Sequence, residues 1–224
     1  DVRIHRHRRF AEGAVEHHVG GLAADAGQRF EGFARTRHDA AVALAEGVGG
    51  TMENFVAMMN RQAQAWGLKN TQFKNVTGLT EPGHHSTARD MSVIAAHIIN
   101  DFPDYYTIYS IRKYRFDGAP ASNENNRTVL LLRDPSVDGM KTGHTDAAGY
   151  CLVASAAREF PSLAQTGTGG GKRRLLSVLL NTTSANARAD ESQRLLNWGF
   201  TAFETVRLFE AGQAIVSPPV WKGT

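Results

Sequence analysis

The sequence has 224 residues, of which 42% are hydrophobic and 21% are charged, as in an ordinary globular protein. Its formal net charge of +3 comes from scattered basic residues, which argues against a nucleic-acid-binding surface. The one cysteine, Cys151, excludes an internal disulfide and a cysteine-based metal site, and no apolar run approaches the roughly twenty residues of a membrane span.

Residues 1–38 differ in composition from everything after them. They hold five of the nine histidines and seven arginines but no lysine, and they sustain no helical or strand-like apolar period. Because these histidines lack carboxylate or cysteine partners at regular spacing, no metal site is predicted. Two interpretations of this atypical segment stay open: it is disordered, or it was translated in a shifted reading frame that returns to frame at Asp39.

Three helices are predicted in the first half of the chain after that segment. Each has apolar residues at helical spacing and a capping residue before it or glycine after it. The predicted ranges are Ala40 to Glu46, Met52 to Trp66 after the N-cap Thr51, and Ala88 to Ile99 after Ser86 or Thr87.

The tyrosine-rich stretch from Phe102 to Phe116 alternates as a strand would. It contains Ser110-Ile111-Arg112-Lys113, the only S-x-x-K match in the chain. A working motif needs the serine and the lysine one helical turn apart at a helix start, so that the amine can take the hydroxyl proton. Because a strand points Ser110 and Lys113 to opposite faces, this match is predicted to have no catalytic role.

The second half of the chain predicts two antiparallel core strands, Leu152 to Ala157 and Leu175 to Leu180, and a last long helix from Ser184 to Phe200. The apolar contacts of that helix are predicted to come from Ala187, Leu195, Leu196, Trp198 and Phe200. Ser184-Ala185-Asn186 is a formal S-x-N match at the start of that helix, where capping is the better explanation. The connector between the strands, Thr166 to Lys172, lacks the spacing of a phosphate loop and is predicted to be a hairpin connection.

The segment from Val137 to Tyr150 contains Lys141-Thr142-Gly143, a signature of active-site-serine, penicillin-recognising enzymes. A turn at Asp-Gly is predicted before it, and an apolar, strand-forming run follows it. On an edge strand, the lysine places a cation beside a reacting carbonyl, and the glycine lets an extended substrate pair with the strand. Backbone N–H groups after the glycine can face a developing oxyanion, where one donor is worth roughly a hundred- to a thousandfold in rate.

With its flanks, this segment resembles the serine-type D-alanyl-D-alanine carboxypeptidases, the low-molecular-weight penicillin-binding proteins of peptidase family S11. The resemblance covers about Asp39 to Thr224. It implies an α+β fold of the β-lactamase and transpeptidase type, a three-layer sandwich whose mainly antiparallel sheet has helices on both faces. It also implies a carboxypeptidase domain over 39–205 and the start of a truncated C-terminal β-domain over 206–224.

The reaction implied by the resemblance is removal of the terminal D-alanine from the peptidoglycan pentapeptide through an acyl-serine intermediate. Penicillins and other β-lactams inhibit such enzymes by forming a slow acyl-enzyme. The resemblance implies no cofactor, no metal and no nucleic-acid partner. It places the protein in the periplasm, at the outer face of the cytoplasmic membrane, with membrane association only through segments that this chain lacks.

Residues that match the family's site lie in three parts of the chain. Lys141, Thr142 and Gly143 match the catalytic motif. The first two would bind and polarise the substrate, and His144, also matched as a substrate-binding residue, would flank the strand. Further residues that match substrate-binding positions are Arg188, which in the family receives the terminal carboxylate, and Arg127, which lies on the rim of the site.

Two motifs of the family are altered or missing. Thr36-Arg37-His38-Asp39-Ala40 occupies the place of S-x-N-D-A, with Thr36 for the serine and His38 for the asparagine. The catalytic S-x-x-K is expected before Asp1, because Lys69 is the first lysine of the chain, which we therefore interpret as a fragment without its nucleophile. Two alternatives stay open: a class A-like β-lactamase, which shares K-T-G, and a non-catalytic peptidoglycan-binding remnant.

Overall fold

The computed structural model describes residues 37–115, 124–160 and 171–203, together with residues 213, 215 and 216. Thr36, nearly all of the atypical first segment, most of the 166–172 connector and nearly all of the predicted C-terminal β-domain lie outside this description. The chain divides into two units. The first comprises Asp1–His97, Lys113–Asn125 and Thr145–Ala148, and the second comprises Ile98–Arg112, Asn126–His144 and Gly149–Thr224.

The helices that begin in the first unit agree closely with the predicted ranges. They are α1 over Arg37–Gly49, α2 over Met52–Ala65 and α3 over Ala88–Asp101. Thr51 and Thr87 each accept a hydrogen bond at 3.1 Å from the backbone N–H three residues later, as N-caps do. Gly50 and Gly67 follow α1 and α2 at φ of +77° and +71°, a conformation that glycine adopts without strain.

A buried carboxylate joins α3 to the segment after α2. Asp90, in the first turn of α3, is 4% exposed. Its Oδ2 accepts hydrogen bonds from the backbone N–H of Asn70 at 2.9 Å and from Thr71 Oγ1 at 2.8 Å. Because a buried carboxylate is costly unless it is hydrogen-bonded, these contacts explain why an acidic residue is tolerated there.

The Thr51 cap gives the first testable prediction. Thr51→Ala should lower the free energy of unfolding by about 1 kcal/mol, because the N–H of Asn54 loses its acceptor. Urea unfolding followed by circular dichroism measures this change. Thr80→Ala, in an exposed loop of the same unit, is the matched control and should leave the unfolding curve in place. Equal shifts for the two variants would contradict the role of Thr51 as a cap.

The second unit contains the sheet. Its strands, in spatial order, are β1 over Val137–Thr145, β2 over Gly149–Glu159 and β3 over Lys172–Thr182. β2 and β3 are antiparallel, with Leu152 opposite Leu179 and Glu159 opposite Lys172, which confirms the predicted pair of core strands. Only residues 146–148 connect β1 to β2. Because parallel neighbours need a much longer crossover connection, β1 and β2 are antiparallel. Among the described strands, β1 lies at an edge.

The long helix after the sheet, Ala185–Ala202, packs against β2 and β3. In chain order, α3 is followed by α4 over Pro103–Tyr106, a 3₁₀ helix over Thr107–Ser110 and α5 over Leu130–Arg133. The long helix after the sheet is therefore numbered α6. Ser184 caps α6 by accepting a hydrogen bond from Ala187 N at 3.0 Å, as predicted. The buried core of the unit comprises Leu130, Leu131, Val137, Leu152, Ala154, Ala156 and Leu196.

The predicted inner face of α6 is partly wrong. Leu195 and Trp198, expected to make apolar contacts in the interior, are 43% and 58% exposed. The buried residues of this helix are Arg188, Ala189, Ser192 and Leu196. On the buried stripe, Leu196 joins the hydrophobic core of the unit, and the Ser192 hydroxyl forms a hydrogen bond with that of Ser177 on β3 at 2.5 Å.

Two further predictions of local structure are wrong. The stretch predicted as a strand from Phe102 contains α4 and the 3₁₀ helix, with Pro103 in the first turn of α4, where its missing N–H costs nothing. The Asp-Gly sequence predicted as a turn, Asp138-Gly139, lies inside β1. Gly139 is required there by Tyr106, because a Cβ on Gly139 would lie 2.5 Å from Tyr106 Oη.

Candidate functional site

The Lys141-Thr142-Gly143 sequence lies on β1, at the edge of the described sheet. Lys141 and Gly143 are exposed, and Thr142 is half-buried. The Nζ of Lys141 donates a hydrogen bond to the carbonyl oxygen of Thr142. A Cβ on Gly143 would meet Cys151 Cβ at an ordinary 3.7 Å, so the neighbouring strand does not itself require glycine. The absence of a side chain therefore leaves room for an extended ligand beside the strand.

Arg188, in the first turn of α6, reaches this strand from a distant part of the chain. Its side chain is almost fully buried, with the residue 7% exposed. Its Nη1 donates to the carbonyl oxygen of Gly143 at 3.0 Å and to that of Cys151 at 3.4 Å. Both bonds are made by Nη1, and the Arg188 guanidinium has further N–H donors on its other two nitrogens. The guanidinium thus joins β1 to β2 and places a positive charge directly behind the K-T-G sequence.

Two aromatic rings lie beside Arg188 at the same end of the sheet. The rings of His144 and Tyr150 have their centroids 4.0 Å apart. The guanidinium carbon of Arg188 lies 5.5 Å from the centroid of the Tyr150 ring, within the range of a cation–π interaction. Tyr150 was not predicted as a site residue. Its position across a short hairpin from His144 was the signal that could have identified it.

Arg188 carries its positive charge in a largely buried position. Burial lowers the pKa of Arg188 most, Cys151 and Tyr150 act to raise it, and the positive charge of Arg127 lowers it by the smallest contribution. An arginine nevertheless stays protonated at neutral pH, so two guanidinium charges act on each other here. A carboxylate that reached the Arg188 guanidinium would gain charge-assisted hydrogen bonds.

The structure brings together most of the predicted site residues, all of them in the second unit. Gly143 and Arg188 are in direct contact, His144 stacks beside them through Tyr150, and Arg127 interacts through its charge. The predicted S-x-N position cannot be compared with them, because Thr36 lies outside the described residues. His38 is exposed in α1 of the first unit.

Ser110 has the surroundings of an ordinary helix end. It is the last residue of the 3₁₀ helix, and its Oγ donates to the carbonyl oxygen of Thr107 at 2.7 Å. Lys113 forms an ion pair with Glu124 at 3.3 Å. Ser110 therefore does not begin a helix, which is the position that a serine–lysine motif needs.

Neither a metal centre nor a membrane span is found in the described part of the chain. Within residues 37–115, 124–160 and 171–203, no group of three or more histidine, cysteine, aspartate or glutamate residues could hold a metal ion. No helix of that part has the length and apolar character needed to cross a bilayer.

Comparison with known proteins places this site in a family. The profile of the Peptidase_S11 family, described as D-alanyl-D-alanine carboxypeptidase, matches residues 33–166. D-alanyl-D-alanine carboxypeptidase DacA of Haemophilus influenzae is 44% identical over 186 residues, which are 83% of this chain and 44% of that protein. DacF of Bacillus subtilis is 35% identical over 194 residues, covering 83% of this chain and 45% of that protein. The chain thus spans less than half the length of these relatives.

Solved structures agree with these sequence matches. Penicillin binding protein 5 from Haemophilus influenzae is 45% identical, with a TM-score of 0.64 over 73% of this chain and 44% of that one. Penicillin binding protein 6B from Escherichia coli is 39% identical, with a TM-score of 0.65 over 78% of this chain and 51% of that one. Penicillin-binding protein D2 from Listeria monocytogenes, solved in an ampicillin-bound form, is 29% identical with a TM-score of 0.60 over 73% and 62%.

These likenesses confirm the predicted fold class, because the described helices and antiparallel sheet match solved enzymes of the β-lactamase and transpeptidase type. The family profile covers more than half of the chain and includes Arg127 and the whole K-T-G strand. The chain belongs to the D-alanyl-D-alanine carboxypeptidases of peptidase family S11.

Proposed function

We propose that this chain carries part of the active site of a serine-type D-alanyl-D-alanine carboxypeptidase, namely the part that binds the terminal carboxylate of the substrate. The observation that supports this most directly is the contact of Arg188 with Gly143 at 3.0 Å, which sets a buried positive charge against an exposed edge strand. A peptide ending in D-alanine offers two matching features: an extended backbone for the strand and a terminal carboxylate for the guanidinium.

In the proposed reaction, a serine oxygen attacks the carbonyl carbon between the last two D-alanines of the peptidoglycan stem peptide. The peptide bond breaks, the terminal D-alanine leaves as a protonated amine, and water later hydrolyses the acyl ester. Lys141 and Thr142 would bind and polarise the substrate, and Gly143 would admit its backbone. Arg188 would take the terminal carboxylate, with Arg127 and His144 at the rim.

The sequence has no S-x-x-K motif at the position where the family's serine nucleophile is expected. Its only S-x-x-K is at Ser110, which ends a helix and bonds to Thr107. We therefore expect this chain to recognise the peptide without cleaving it. The same recognition would extend to β-lactams, which two structures of the Listeria monocytogenes protein contain as ampicillin and cefotaxime.

Two measurements on the folded chain test this proposal. Isothermal titration with an N-acylated tripeptide ending in D-Ala-D-Ala should detect binding that Lys141→Ala weakens at least about tenfold. Lys172→Ala, which removes an exposed lysine paired with Glu159 on β3, is the matched control and should bind as the parent chain does. Intact-mass spectrometry after incubation with a labelled penicillin should show no covalent adduct.

Other outcomes would point to different functions. Absence of tripeptide binding, or binding that ignores Lys141→Ala, would contradict the proposal. A stoichiometric penicillin adduct mapped to Ser110 would mean that this chain holds its own nucleophile. Rapid penicillin turnover would favour a class A-like β-lactamase, and binding without an adduct is also what a non-catalytic peptidoglycan-binding remnant would give.

The proposal includes the predicted domains and location. Residues 39–205 would form the carboxypeptidase domain, 206–224 the start of a C-terminal β-domain, and the protein would act in the periplasm at the outer face of the cytoplasmic membrane. Translation out of frame would explain the composition of residues 1–38, as disorder also would. Retranslation of the coding DNA tests this point, since another frame should give an amphipathic helix ending in S-x-N.

A further inference from the structure

A polar cluster crosses all three strands at the start of β1, three residues before Lys141. Asp138 on β1 accepts a hydrogen bond from Tyr106 Oη at 2.7 Å. Arg174 on β3 places Nη1 at 2.7 Å from each oxygen of the same carboxylate and donates to Ser155 Oγ on β2 at 2.6 Å. We call Tyr106, Asp138, Ser155 and Arg174 the Asp138 cluster.

We infer that Asp138 is a positioning residue that fixes the register of β1 and so keeps Lys141 and Thr142 where they can contact a ligand. The inference rests on the proposed function for its ligand. One nitrogen of the Arg174 guanidinium contacts both the carboxylate on β1 and the hydroxyl on β2, so a single side chain of β3 joins three strands. Asp138 and Lys141 lie three residues apart on β1, so the effect of the cluster on the proposed ligand site passes through the backbone of that strand.

Burial makes the cluster more than a surface ion pair. The side chains of Asp138 and Arg174 are 33% and 35% exposed, whereas Tyr106 and Ser155 are 6% and 0% exposed. Burial raises the pKa of Tyr106, so its hydroxyl stays a neutral donor to Asp138 at any ordinary pH. The ring also lies 5.4 Å from the Arg174 guanidinium carbon. Hydrogen bonds shielded in this way restrict movement better than exposed ones.

β1 is held at two points, with Lys141 and Thr142 between them. The Asp138 cluster fixes its beginning, and the bond from Arg188 to Gly143 fixes its far part. A strand rises about 3.3 Å per residue and alternates its side chains, so a slip of one residue would turn Lys141 to the other face. Gly139 lets Tyr106 approach so closely, since any Cβ there would meet the phenol oxygen.

The test measures the strand and the ligand separately. Hydrogen exchange of peptides spanning residues 139–145 should become at least about tenfold faster in Asp138→Asn, with the β2–β3 peptides unchanged. The affinity for the N-acylated D-Ala-D-Ala tripeptide should fall about tenfold. Glu159→Gln, which breaks the exposed pair with Lys172 at the other end of β2, is the matched control and should change neither quantity.

A second variant protects the test against a general loss of folding. Arg174→Met keeps an apolar stem but removes the donor nitrogen and the charge, and it should speed exchange in the same peptides. Combined with Asp138→Asn, it should add much less than the sum of the single effects, because both remove one cluster. Unchanged exchange over 139–145, or equal acceleration across the whole sheet in both variants, would overturn the inference. Faster exchange without tripeptide binding by the parent chain would support positioning and contradict the proposed function.

Discussion

Replacing Arg188 with alanine is expected to weaken binding of an N-acylated tripeptide ending in D-Ala-D-Ala by about 10- to 150-fold. This range corresponds to roughly 1.5–3 kcal/mol, the usual contribution of hydrogen bonds to a charged group. Arg188→Lys should recover only part of the affinity. A lysine keeps the charge, but it cannot bond to the Gly143 carbonyl and to a carboxylate with the geometry of a planar fork.

The matched control for this prediction lies on the same helix. Arg194 is six residues further along α6, where its exposed side chain pairs with Glu191 at 2.8 Å. Arg194→Ala removes the same charge from the same helix and should leave the dissociation constant within about twofold. Isothermal titration of the three variants gives the comparison. If Arg188→Ala bound the tripeptide as tightly as Arg194→Ala, the guanidinium would serve only to join the strands.

The second large effect concerns the turn that leads into β1. Asp134→Asn is expected to lower the free energy of unfolding by about 2–3 kcal/mol at neutral pH. Asp134 Oδ2 accepts from Arg158 Nη2 at 2.8 Å, and its Oδ1 accepts from the backbone N–H of Ser136 at 2.9 Å. An asparagine can retain the bond to Ser136 but turns an N–H₂ group toward Arg158. The expected loss stays below that of a fully buried pair because the Arg158 side chain is 30% exposed.

The same carboxylate makes stability depend on pH. Burial acts to raise the pKa of Asp134, but hydrogen bonds from Ser136 and the charge of Arg158 outweigh it and hold the pKa below its ordinary value of 3.8. A lowered folded-state pKa means that the unfolded chain takes up the proton first. The stabilisation is therefore complete above pH 3.8 and disappears as the pH falls through the lower folded-state value. The difference between parent and Asp134→Asn should shrink over that interval.

Asp190→Asn provides the comparison for Asp134. Its carboxylate bonds to Arg133 at 2.6 Å, but both side chains are substantially exposed. Exposed pairs contribute about 0–1 kcal/mol, so this variant should change the unfolding midpoint little at any pH. Urea unfolding curves recorded at neutral pH and at several acidic values measure both variants. Equal losses for the two, or a loss for Asp134→Asn that grows on acidification, would contradict the role assigned to Asp134.

Much of the architecture was predictable because its signals are local. Thr51 and Ser184 mark helix starts through the residues that follow them within one turn. The strand run after Tyr150 is recognisable from its own apolar, β-branched and small side chains. The prediction of a strand after Phe102 was wrong for a local reason as well. The alternating aromatic residues favoured a strand, whereas Pro103 is also compatible with the first turn of the helix that forms there.

The sequence by itself determined the family, the long helices, the pair β2 and β3, and the candidate residues Lys141, Thr142 and Arg188. Only the tertiary structure decided which residues meet. Arg188 lies 45 positions from Gly143, and Arg158 lies 24 positions from Asp134. Such partners depend on strand register and on which face of α6 turns inward, and neither is encoded within a single turn or strand. The Asp138 cluster shows the same dependence, because Arg174 finds Asp138 only once three strands are aligned.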